Sequence, residues 1–136
     1  MINYSDILRE HHLKATPQRL AIAEALHIKG HINIETLYEI MLKNFNSISL
    51  ATIYKNINLM LENSFIQEVK IPNAKSVYEL TKETHSHLSC EVCGDIEDVY
   101  VESSDIIYSV SKKSDFEIKD MELVFLGLCK DCQKVD

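Results

Sequence analysis

Long hydrophobic runs are missing from this chain, glycine is scarce, and positive charge is in deficit. A helix needs ~20 predominantly apolar residues to cross a bilayer. No run here approaches that length, so no membrane partner is expected. No charged-then-apolar leader with a small-residue cleavage site opens the sequence, so a cytoplasmic, reducing setting is expected. Only three glycines occur, and no nucleophile motif accompanies them. Nothing suggests a substrate cleft, and the chain is not expected to be an enzyme. The net charge of −7 argues against a uniformly basic nucleic-acid binder.

Divided, the charge reads differently. Residues 1–78 carry eight Lys/Arg against seven Asp/Glu, while residues 79–136 carry six against fourteen. The acidic half suits cation binding, and the N-terminal half is the one DNA would tolerate. Units of ~55–80 residues bury little core and often need a metal or a partner subunit.

What is present is concentrated in His85-Ser86-His87-Leu88-Ser89-Cys90-Glu91-Val92-Cys93, together with Cys129-Lys130-Asp131-Cys132. Two CxxC pairs can close a tetrahedral zinc site on Cys90, Cys93, Cys129 and Cys132, with no position left for chemistry. In a reducing compartment such pairs bind metal or do redox chemistry more often than they form disulfides. A thiol oxidoreductase is disfavoured by the absence of a flanking βαβ pattern. His85 and His87 alternate along a strand-like segment and point to one side. They suit a metal site that is more responsive than four thiolates. The rival from another class is a zinc-containing enzyme, with its metal on His85 and His87 and with Asp98 or Glu79 as general base.

Four helices are expected in the first half. The first covers residues 4–12. The second starts at Thr16-Pro17, where Thr16 caps and Pro17 fits the first turn, and it breaks near Gly30. The third is capped by Asn33. The fourth is capped by Ser49 and runs from Leu50 to about Glu62. Leu50, Ile53, Ile57, Met60 and Leu61 form its apolar arc, with Ala51, Thr52, Lys55 and Asn58 opposite and Tyr54 at the border. Two strands, 65–70 and 76–80, follow as a hairpin, completing a winged helix-turn-helix whose wing carries Lys70 and Lys75. Beyond a polar connector, a strand at 96–101, a helix at 105–112 and one or two strands within 116–128 are expected. Their apolar groups outnumber what one β-α-β layer covers, which points to a homodimer.

Three segments in order carry a resemblance: Leu13-Lys14-Ala15-Thr16-Pro17-Gln18-Arg19-Leu20, then Ser49-Leu50-Ala51-Thr52-Ile53-Tyr54-Lys55-Asn56, then His85-x-His87-x-x-Cys90-x-x-Cys93-Gly94. In them the chain resembles the ferric uptake regulator (Fur) family of metal-dependent repressors. The resemblance implies an α+β fold: a winged-helix DNA-binding domain over residues 1–80, a hinge at 81–84, and an α/β dimerisation domain over 85–136. It implies structural Zn(II) on the four cysteines and a regulatory ion on His31, Glu79, His85, His87 and Asp98. Mixed nitrogen and oxygen ligation suits Fe(II) or Mn(II), with Zn(II) as a further occupant. Double-stranded operator DNA is the implied partner, with Lys14, Arg19, Thr52, Tyr54 and Lys55 as contacts. Asp98, five residues past Cys93, resembles the peroxide-responsive repressor branch, which implies release of DNA when Fe(II) and peroxide oxidise His31 or His85. Glu79 and Lys55 fit the iron-responsive branch instead. A further metal site of that branch falls on Thr84, Ser86, Asp105 and Met121, of which only Asp105 is a good ligand.

Overall fold

The computed structural model describes residues 2–134. It divides into two compact units, the first ending at Lys82 and the second beginning at Glu83. No helix among the described residues is long and apolar enough to cross a membrane.

Each helix of the first unit starts at a polar side chain that accepts an otherwise orphaned backbone N–H. Asn3 caps α1 (Tyr4–Glu10), Thr16 caps α2 (Pro17–Lys29), Asn33 caps α3 (Ile34–Asn44) and Ser49 caps α4 (Leu50–Glu62). Helix α2 ends at Gly30, whose φ of 83° favours a residue with no Cβ. The helices close on one core of Leu8, Leu13, Ile22, Leu26, Leu37, Met41, Ile53, Ile57 and Met60. Leu50 departs from the expected apolar arc: it is 39% exposed, because it opens the first turn of α4 at the edge of that core. Asn56 takes a buried place on the arc instead.

Strands β1 (Ile66–Val69) and β2 (Val77–Leu80) form an antiparallel hairpin, slightly shorter than the expected runs, with Gln67 opposite Glu79. An antiparallel bridge between Ile32 and Tyr78 ties the end of α2 to β2. Helices followed by this hairpin are a winged helix.

The second unit is a three-stranded sheet in the order β4-β3-β5. Strand β3 (Ser86–Cys90) pairs antiparallel with β4 (Ile96–Val99) and parallel with β5 (Val124–Gly127). The parallel pairing needs a crossover, which contains α5 (Ser104–Ser111). One expectation is corrected here: the strand expected at 96–101 stops at Val99. Of the one or two strands expected within 116–128, one forms, Val124–Gly127. Phe116, expected in a strand, is 80% exposed. Every residue of α5 is at least partly exposed, and Val101, Ile106, Tyr108, Val110, Phe125 and Leu128 are exposed apolar groups. The fold is thus α+β, helical first and sheet-based second.

Candidate metal centre and nucleic-acid interface

Parallel pairing of β3 with β5 sets Cys90 beside Gly127 and so brings the two CxxC segments to one end of the sheet. After Cys90 the chain turns tightly. Gly94 N–H donates to the Cys90 carbonyl at 3.0 Å and Cys90 N–H to the Asp95 carbonyl at 2.9 Å, with Gly94 at φ 81°. The four sulfurs all lie within 4.8 Å of one another. Cys93 and Cys129 are 3.7 Å apart, far beyond a disulfide at ~2.05 Å. Ligands ~2.3 Å from a tetrahedral zinc stand ~3.8 Å from each other, so this spacing fits the ion.

Backbone donors also aim at sulfur. Cys129 N–H points at Cys90 Sγ at 3.4 Å and Asp95 N–H at Cys93 Sγ at 3.5 Å. The donor from Cys129, with those of Cys93 and Val92, pulls the Cys90 thiol down to about 6. The sulfurs of Cys129 and Cys90 push Cys132 up to about 12. At Cys93 the Asp95 donor favours the thiolate, but burial and the neighbouring sulfurs outweigh it and the thiol is raised. One thiolate is favoured and its neighbours resist a second like charge. A divalent cation relieves that repulsion, so this donor set fits zinc.

The mixed-ligand residues fall in both units. In the first, the Ile32–Tyr78 bridge sets His31 beside Glu79, and His31 Nε2 lies 2.9 Å from Glu79 Oε1. Glu79 is 1% exposed. Gln67, its cross-strand neighbour, donates through Nε2 to Oε2 at 2.5 Å. In the second unit, the two-residue period turns His85 and His87 to one side, and their Nε2 atoms lie 3.4 and 3.5 Å from Asp98 Oδ1. His87 and Asp98 are cross-strand partners. The two rings sit 4.6 Å apart edge to face. His85 Nδ1 lies 2.8 Å from the Glu83 carbonyl, a bond that orients the ring and leaves its lone pair at Nε2. Of the further-site positions, Asp105 stands exposed in the first turn of α5 and Ser86 is buried in β3.

On α4, Ala51, Tyr54, Lys55 and Asn58 are exposed and Thr52 is half-buried. Lys14 is exposed as well. Arg19 is anchored: its Nε donates to Asn56 Oδ1 at 3.1 Å and its Nη1 to the Lys14 carbonyl at 3.0 Å. Asn56 in turn donates to Gln18 Oε1 at 3.3 Å and to the Thr52 carbonyl at 3.2 Å. On the hairpin, Lys75 pairs with Glu35 of α3, so half of the wing's expected positive charge is offset within the unit. Sequence reasoning missed Asn56, Gln18 and Gln67. The one available signal was an amide on an otherwise apolar helical arc at Asn56.

Comparison with known proteins agrees with this architecture. Residues 10–126 match the Ferric uptake regulator family. The peroxide-responsive repressor PerR of Staphylococcus saprophyticus is 30% identical over 128 residues, spanning 93% of this chain and 86% of that protein. The Campylobacter jejuni peroxide stress regulator superposes with a TM-score of 0.70 at 34% identity, covering 96% of this chain and all of that one (100%). The Vibrio cholerae ferric uptake regulator gives a TM-score of 0.75 at 27% identity, covering 93% and 100%. The chain therefore belongs to the ferric uptake regulator family of metal-responsive transcriptional regulators.

Proposed function

We propose that this protein is a cytoplasmic, homodimeric repressor that binds double-stranded operator DNA when metal is bound and releases it when peroxide oxidises a ligand histidine. The observation that carries this reading is the trio of His85, His87 and Asp98, with both Nε2 atoms within 3.5 Å of one carboxylate oxygen. Two imidazoles and an oxygen donor suit Fe(II) or Mn(II), and also Zn(II). In this reading the regulatory ion takes His31 and Glu79 from the first unit and His85, His87 and Asp98 from the second. An ion so shared would fix the angle across a hinge at residues 81–84. That angle sets the spacing of the two α4 helices in the dimer, which has to match half-site spacing on DNA. Without the ion the dimer samples other spacings and loses affinity by population shift.

Zinc on Cys90, Cys93, Cys129 and Cys132 would hold the second unit together. The exposed apolar groups of α5 and β5 support a dimer interface there. Tyr54 and Thr52 are suited to thymine methyls, and Lys14, Arg19 and Lys55 to phosphates or groove edges. In the sensing step, peroxide transfers one oxygen atom to a carbon of His31 or His85 and leaves as water. Fe(II) held by these residues would supply the activation of peroxide. The oxidised ring then binds metal less well.

The test is to load zinc protein with Fe(II) under anaerobic conditions, add peroxide, and map peptides by mass spectrometry alongside a DNA gel shift. One added oxygen on His31 or His85, with loss of the shifted band, is the expected result. An unmodified protein whose DNA binding follows Fe(II) alone would support an iron-responsive regulator, the second reading, which the longer Glu79 side chain favours.

A further inference from the structure

The two oxygens of Glu79 have different partners. Oε1 lies 2.9 Å from His31 Nε2, while Oε2 accepts the Gln67 amide at 2.5 Å. The carboxylate is buried, and the donor stands directly opposite it in the β1–β2 register. We propose that Gln67 is a positioning residue for the regulatory metal: by holding Oε2 it presents Oε1 alone, beside His31, to a divalent ion. The proposal rests on the reading of His31 and Glu79 as ligands.

Three features of the residue type support it. An amide donates a hydrogen bond without cancelling the charge that attracts the cation, which a lysine in its place would do. An ionised acidic residue would have no proton to give and would repel Glu79. Glutamate also has one more torsion than aspartate, and a fixed donor on Oε2 removes the freedom that this torsion adds. Held by one oxygen, Glu79 gives a single donor atom rather than a chelating pair. An ion that takes a single atom from Glu79 keeps one more coordination position for a small oxygen ligand than an ion chelated by both oxygens. The chelating alternative would close that position. Gln67 thus bears on how open the metal is as well as on how tightly it is held.

The test uses full-length zinc-loaded protein titrated with Co(II), read by its visible absorption and by chelator competition. Five-coordinate Co(II) absorbs more strongly than six-coordinate, so the spectrum reports on Glu79 directly. Gln67→Met removes the donor at nearly constant shape, and Gln67→Glu replaces it with an acceptor. Gln67→Met should weaken Co(II) binding by about 10–100-fold, and both variants should lower the visible intensity. Thermal unfolding of the Co(II)-free protein separates this from a general loss of hairpin stability, which would leave the spectrum of bound Co(II) unchanged. His31→Ala provides the reference. If it abolishes the site while both Gln67 variants match wild type in affinity and spectrum, the role of Gln67 is overturned and the ligand reading stands. If His31→Ala titrates like wild type, the ligand reading itself is wrong, and the role of Gln67 falls with it.

Discussion

Replacing Asn56 with alanine tests what holds α4 against α2. The side chain is 7% exposed and makes three hydrogen bonds: one from Arg19 Nε, one to Gln18 Oε1 and one to the Thr52 carbonyl. A net hydrogen bond to a charged group is worth ~1.5–3 kcal/mol and a neutral one ~0.5–1.5 kcal/mol. Water can replace part of this, because Arg19 and Gln18 are only half-buried. Alanine also returns ~0.7 kcal/mol or less through better helix propensity. The expected net loss is ~2 kcal/mol. Urea unfolding of the zinc-loaded protein, followed by helical circular dichroism, measures it. Arg19→Ala and the double variant complete a cycle, in which a coupling of ~1 kcal/mol is expected. A loss below ~0.5 kcal/mol, the level of an ordinary surface substitution, would refute the clamp. So would strict additivity with Arg19→Ala.

Zinc binding should release one more proton per chain at pH 5 than at pH 7.5, by about one equivalent. The Cys90 thiol, pulled down to about 6 by the Cys129 donor, is already largely a thiolate at the higher pH, whereas Cys132, pushed up to about 12, gives up its proton to the metal at both. Affinity therefore falls as pH falls. Equal proton counts at the two pH values, measured in weak buffer, would contradict the role given to the Cys129 donor. Asp98→Glu should keep metal-dependent DNA binding but blunt peroxide release. Equal peroxide sensitivity of the two Fe(II)-loaded proteins in a gel shift would remove Asp98 from the sensing step. Ile106→Glu puts a charge on an α5 residue that is already 42% exposed, so the monomer should tolerate it and a dimer should not. Sedimentation showing an unchanged dimer would move the interface elsewhere.

What was legible in the sequence was local. Thr16, Asn33 and Ser49 cap the helices expected of them, because the cap is a contact between neighbours three residues apart. The apolar arc of α4 follows helical periodicity for a similar reason, and it fails only at Leu50, where a helix end outruns the core. Less was legible in the second unit. Its strands are four or five residues long, too short for alternation to separate strand from loop. Much of its apolar surface is unburied within a single chain, so the usual contrast between buried and exposed faces is weak.

The candidate site divides along the same line. The cysteine pairs declare themselves by spacing, but their meeting depends on the parallel β3–β5 register, which no local pattern encodes. His31 has no local signal of its own; what sets it against Glu79 is the bridge from Ile32 to Tyr78. Gln67 becomes relevant only once β1 and β2 pair with Gln67 opposite Glu79. His87 likewise faces Asp98 by register, and a one-residue slip of β3 would turn it to the other side of the sheet. In this chain, register rather than residue identity sets the geometry of the candidate ligands. The turn between Cys90 and Asp95, which fixes the β3–β4 register and carries Cys93, therefore couples the cysteine cluster to the His85/His87/Asp98 group. If zinc fills the cysteine cluster, removing it with a chelator should then disturb the histidines before it unfolds the helices of the first unit, whose core contains none of these residues.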